Sequence, residues 1–129
     1  MEKKTDIISR QDIEKLVDTF YAKVQQNEQI GPFFNEVAKV NWANHLPKMY
    51  NFWEFLLLGT GSYKGNVTTP HVELNQKETL LPSHFDIWVK IFHATIDELF
   101  AGPKAEELKL RALSIAGVMS HKIEEINAQ

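Results

Sequence analysis

The sequence predicts an all-α protein built as a single domain. Two observations carry that expectation. Large apolar side chains recur every three or four residues along most of the chain, the spacing that lines one face of a helix. No segment alternates with the period of two that a strand requires. Turn-forming Gly31-Pro32, Gly59, Pro82 and Gly102-Pro103 punctuate the periodic stretches. The 129 residues suffice for one core and are too few for two.

Taken in order, residues 1–8 read as a loose leader. Ser9 is a good N-cap, with Asp12 where a carboxylate suits the first turn of a helix. Ile13, Leu16, Val17, Phe20 and Val24 then form a buried stripe, and Tyr21 lies beside it, half in the core, its hydroxyl needing a partner. The polar run Gln25-Gln26-Asn27-Glu28 ends this helix. After Gly31-Pro32, Phe33-Phe34 and Val37 suggest one or two helical turns forming a hydrophobic corner. Of two adjacent rings on a helix, only one is expected to face a given cavity.

Trp42 to Gly59 is the most apolar long segment. Met49, Phe52, Trp53 and Leu56 sit at i, i+3, i+4 and i+7, and His45 lies one turn earlier on the same face. The stripe reads either as core with a rim histidine or as the wall of a pocket for something flat and apolar. Pro47 costs a hydrogen bond if the helix begins at Asn41, and costs none at the third helical position if Asn44 is the cap. Residues 59–82 look irregular, with a single helical turn at His71-Val72-Glu73-Leu74, and a loop so long is more often functional than not. His71 could tether that turn by holding a cofactor or by donating to a backbone carbonyl.

Pro82-Ser83 starts the next helix, with Ser83 as the expected cap and Phe85, Trp88, Val89, Phe92, Ile96 and Leu99 as its stripe. Trp88 reads as a core residue or as an indole N–H directed into a cavity. The last helix carries Leu108, Ala112, Ile115, Ala116, Met119 and Ile123, and residues 127–129 are expected to fray.

Composition removes several function classes. Net charge is −3 with the charges mixed, so no basic stripe can follow a phosphate backbone, and nucleic-acid binding is not expected. The absence of cysteine excludes disulfides, thiol catalysis, zinc–thiolate sites and covalent attachment through Cys-x-x-Cys-His. No signal-peptide core and no membrane-length apolar run are present, so a cytoplasmic protein without membrane association is expected. The histidines at 45, 71, 84, 93 and 121 form no His-Glu-x-x-His or Glu-x-x-His motif, and Gly59, Gly61 and Gly65 form no strand–loop–helix phosphate cradle. One arrangement survives. If His45 and His71 approached opposite faces of a buried planar cofactor, His71 could be an axial ligand, with His45, Tyr21 and Trp88 over the other face; haem suits that arrangement.

Together these features resemble the group III truncated haemoglobins. The matching pieces are Phe20-Tyr21, Gly31-Pro32-x-Phe34, Trp42-x-x-His45, Asn51-Phe52-Trp53 with Leu57-Leu58-Gly59, Tyr63-x-Gly65, His71, Phe85-x-x-Trp88-x-x-x-Phe92 and the closing helix through Met119. They follow the family's order over nearly the whole chain. The resemblance implies a shortened globin, a two-over-two helical sandwich around one non-covalent haem b. It implies His71 as the iron ligand through Nε2, and Tyr21, His45 and Trp88 as distal polar residues. Phe34, Met49, Phe52 and Trp53 are implied as lining the pocket. Pro47 departs from the common family pattern, which bears on the regularity of the helix around His45. The implied partners are dioxygen and other small diatomic ligands, in oxygen transport or in dioxygenase- or peroxidase-like redox chemistry on nitric oxide or peroxide fed by an unidentified reductase. A monomer or weak dimer is expected. The alternative is a cofactor-free helical interaction module with His45 and His71 unconnected.

Overall fold

The computed structural model describes residues 3–61 and 68–128. Among these described residues five helices follow in order, α1 (Arg10–Gln26), α2 (Trp42–Leu58), α3 (Thr68–Lys77), α4 (Pro82–Leu99) and α5 (Pro103–Asn127), with a π-helical turn (Phe33–Val37) between α1 and α2. No strand occurs among the described residues. Nor is any helix among them long and apolar enough to cross a membrane. α4 packs along α5, α1 packs against both α2 and α4, and α2 reaches α5, which gives two layers of two helices.

α1 starts as its sequence predicts, with extended Ser9 accepting a hydrogen bond from the Asp12 N–H at 3.4 Å. Its stripe of Ile13, Leu16, Val17 and Val24 is fully buried. The leader is a correction: its inner end is held. Ile7 is fully buried, and the Ala101 N–H donates to the Thr5 carbonyl at 3.0 Å. The Asp6 carboxylate accepts from the Lys104 and Ala105 N–H groups at 2.9 and 2.8 Å, which are two of the free donors at the start of α5. Gly102 makes room for it, since a Cβ there would fall 2.5 Å from the Asp6 Cγ.

The turn after α1 needs Gly31, whose added Cβ would lie 2.8 Å from the Gln25 carbonyl oxygen. In the π turn the Ala38 N–H reaches back five residues to Phe33 at 2.8 Å. A wider turn rotates neighbouring side chains less than an α-helix does. Phe33 and Phe34 therefore both line the central cavity, where only one was expected to.

α2 settles the position of Pro47. Asn41 is the N-cap, and the Asn44 and His45 N–H groups donate to its carbonyl at 3.1 and 2.9 Å. Pro47 thus lies inside the helix and deprives the Ala43 carbonyl of its partner four residues on. Gly59, at φ 71°, ends the helix in the left-handed conformation, its N–H bonded to the Phe55 carbonyl at 3.2 Å. α3 is a second correction, ten residues long instead of a single turn. Pro70 sits in its first turn, where no intrahelical N–H is needed. The Tyr63-x-Gly65 motif lies outside the described residues.

α4 begins at Pro82 with Leu81 as its cap, so Ser83 does not have the capping role expected of it. Proline suits the first helical position. The Leu81 N–H donates instead to His84 Nδ1 at 2.9 Å, and the His84 N–H to the Leu81 carbonyl at 2.9 Å. At the far end of α5, Asn127 is helical and hydrogen-bonded to Asn75 rather than frayed.

The buried side chains form two clusters. One gathers Ile7, the α1 stripe, Trp53, Leu57, Phe92, Ile96 and Leu108; the other gathers Phe33, Leu80, Phe85, Val89, Ala116, Met119 and Ile123. Phe34, Trp88 and Ile115 pack against both.

Candidate functional site

A cavity of about 550 Å³ lies between the two clusters, within the range of small-molecule sites. α1 supplies Tyr21, and the turn after it Ile30, Phe33 and Phe34. α2 supplies His45, Lys48, Met49, Asn51, Phe52 and Trp53. α3 adds Pro70, His71 and Leu74, and the long helices add His84, Phe85, Trp88, Ile115 and Met119. All the sequence-predicted site residues, namely Tyr21, Phe34, His45, Met49, Phe52, Trp53, His71 and Trp88, line this one cavity. His84, Lys48 and Asn51 line it as well. Sequence reasoning did not single out His84 for a site, although it precedes Trp88 by one helical turn, and that spacing was the available signal.

The polar groups are held by aromatic packing. The Tyr21 ring meets Phe20 edge-on at 4.9 Å and Phe34 at 5.8 Å, and is 5% exposed. Burial pushes its hydroxyl far above the ordinary tyrosine range, so it stays a protonated donor. Trp88 stacks with Phe92 at 5.3 Å and with Trp53 at 6.4 Å, which stack on each other at 4.9 Å, and Phe20 meets it edge-on at 5.5 Å. Neither the Tyr21 hydroxyl nor the Trp88 indole N–H bonds to another described residue.

His45 stands against Tyr21 at 5.3 Å and Trp42 at 5.6 Å, both edge-on. Its Nε2 is buried with no hydrogen-bond partner. Burial, reinforced by the Lys48 and His71 charges, holds its pKa below the ordinary histidine value and favours the neutral ring. His71, on α3, is half-buried, with its ring 6.4 Å from that of Phe85. Among the described residues no group of three or more His, Cys, Asp or Glu could hold a bare metal ion. A metal in this cavity would need most of its ligands from a cofactor.

Two layers of helices around an apolar, histidine-lined cavity define a globin-like protein. A family profile described as bacterial-like globin matches residues 6–123. The chain belongs to the bacterial-like globin family. It is 31% identical over 116 residues to the group 3 truncated hemoglobin ctb of Campylobacter jejuni, covering 88% of this chain and 89% of that one. It is 29% identical over 116 residues to the group 1 truncated hemoglobin GlbN of a Synechocystis species, covering 89% of each. The crystal structure of the Campylobacter jejuni group III truncated hemoglobin superposes with a TM-score of 0.81 at 28% identity, over 94% of this chain and 95% of that one. The likeness to group III truncated haemoglobins read from the sequence therefore holds in sequence and in fold.

Membership in the globin family implies a haem cofactor, and the cavity suits one. The walls are apolar and aromatic, as a flat macrocycle requires. A porphyrin would supply the ligands that the described residues do not cluster, so that a single histidine would suffice from the protein. The buried, partnerless His45 Nε2 marks a place where a polar atom of something bound is wanted.

Proposed function

We propose that this chain reversibly binds dioxygen and other small diatomic molecules at a non-covalent haem b whose single protein ligand is His71. The observation that carries the reading is one apolar cavity shared by His71 from α3 and the partnerless His45 Nε2 from α2. Haem, when bound, supplies a ferrous centre with one open position for a diatomic ligand.

The chain's own residues do the rest. His71 presents Nε2 as the ligand nitrogen. Phe34, Met49, Phe52 and Trp53 would pack on the flat faces and keep water out. Lys48, the one lysine or arginine lining the cavity among the described residues, is exposed and would meet the cofactor's carboxylates. Tyr21 and Trp88, which line the cavity, would offer donors at the ligand face, where a dry surrounding strengthens each hydrogen bond. His45, neutral and inside the first turn of α2, gates or contacts that face. If these groups hold the ligand very tightly, turnover of nitric oxide or peroxide, with electrons from a separate reductase, would fit better than oxygen transport. The working form is a cytoplasmic monomer or weakly associating dimer.

Haem titration of the purified protein tests the reading. An intense Soret band and a five-coordinate ferrous spectrum are expected, and His71→Ala should lose both. A normal five-coordinate ferrous spectrum in His71→Ala would refute the ligand assignment, and no haem uptake by the wild type would refute the whole reading.

A further inference from the structure

α3 carries His71, yet little apolar surface holds it. Val72 and Leu74 are half-buried, and Glu73, Gln76 and Lys77 are exposed. The one buried side chain among residues 69–77 is polar, Asn75 at 8% exposure. A buried amide without partners would destabilise the helix it sits on. This one is well supplied. Its Oδ1 accepts from the Leu80 N–H at 2.8 Å, and its Nδ2 donates to Asn127 Oδ1 at 2.9 Å. Asn127 Nδ2 returns a longer bond to Asn75 Oδ1 at 3.3 Å. The Leu80 N–H fixes the orientation of the amide, because turning it over would set an NH₂ against a backbone donor. Asn127 is the last residue of α5 and Leu80 leads into α4, so one side chain ties α3 to both long helices.

Asn75 follows His71 by four residues, one turn along the same face. Any rotation or slide of α3 moves the two together. The half-buried apolar contacts of α3 are non-directional, whereas hydrogen bonds between amides fix distance and angle. We infer that Asn75 and Asn127 form a directional latch that sets the rotation of α3 and thereby the angle at which His71 meets the haem plane. The inference rests on the proposed role of His71 as iron ligand, and Asn75 is a positioning residue that acts through it.

Two measurements test it. The first needs no haem: amide hydrogen exchange of α3 in the apoprotein, compared among wild type, Asn75→Ala, Asn127→Ala and the double variant. Asn127→Ala should speed exchange in α3 by about tenfold, and Asn75→Ala by more, since it also strips the Leu80 N–H. The double variant should exchange no faster than Asn75→Ala alone; multiplied effects would overturn the pair as a unit. If Asn75→Ala does not fold, Asn127→Ala carries the test, and α3 exchange at the wild-type rate overturns the latch. The second measurement is the iron–imidazole stretching band of the ferrous, haem-loaded protein by resonance Raman. It should shift or broaden in both latch variants and stay put in Asp6→Asn, which loosens a distant part of the fold. An unmoved band in both latch variants overturns the positioning role. A wild type that takes up haem but lacks the band overturns the reading of His71 and with it the positioning role, while the exchange pattern still decides the latch.

Discussion

A buried imidazole nitrogen without a hydrogen bond costs about 1–3 kcal/mol, so His45 Nε2 is a standing debit against the fold. Tyr21 and Trp88 add two donors on the same cavity, neither bonded to a described residue. Their value appears only when a ligand is present. Tyr21→Phe combined with Trp88→Phe should speed dioxygen release by about tenfold or more, corresponding to about 1.4 kcal/mol from the two donors together. Stopped-flow release at the wild-type rate would count against them. Met49, Phe52, Trp53 and His45 were legible as one face from residue type and helical spacing. His84 was not. Its ring nitrogen serves the Leu81 N–H, a role usually filled by a carboxylate or amide, and no motif announces a histidine in that place.

Among the elements, α1, α2, α4 and α5 could be read because their signals are local: a cap, a stripe, a closing glycine or proline. α3 could not be read at full length. Its buried residue is an amide, and that amide's side-chain partner lies 52 residues away. The hold on the leader was illegible for the same reason, since Asp6 caps a helix 98 residues further on. Burial raises the Asp6 carboxyl, but the N–H groups of Lys104, Ile7 and Ala105, with the Lys104 charge, outweigh it and leave the folded pKa below the ordinary 3.8. A lowered folded pKa means that the unfolded chain takes up the proton first. This contribution is complete above the unfolded value and is lost as pH falls through the folded one. Asp6→Asn should therefore cost about 1 kcal/mol at neutral pH, and its stability should fall less steeply than wild type below about pH 4. Denaturant melts across that range are the check, and parallel curves would contradict the assignment.

For the whole molecule, the two-layer arrangement leaves the core in two clusters with a cavity between them. A ligand seated there touches both and stabilises the folded state by mass action, by about 2.7 kcal/mol when free haem is about a hundredfold above its Kd. Thermal melts should show Tm rising by several degrees on haem addition in wild type and much less in His71→Ala. An unchanged wild-type Tm would mean that the cavity is not where haem goes. The contact between Asp6 and the start of α5 acts on a different quantity. Closing so long a span of chain is entropically unfavourable, and no neighbouring contact offsets it until the intervening helices are in place. Such a contact is expected to form on the native side of the folding barrier, and so to lengthen the lifetime of the folded molecule without hastening its assembly.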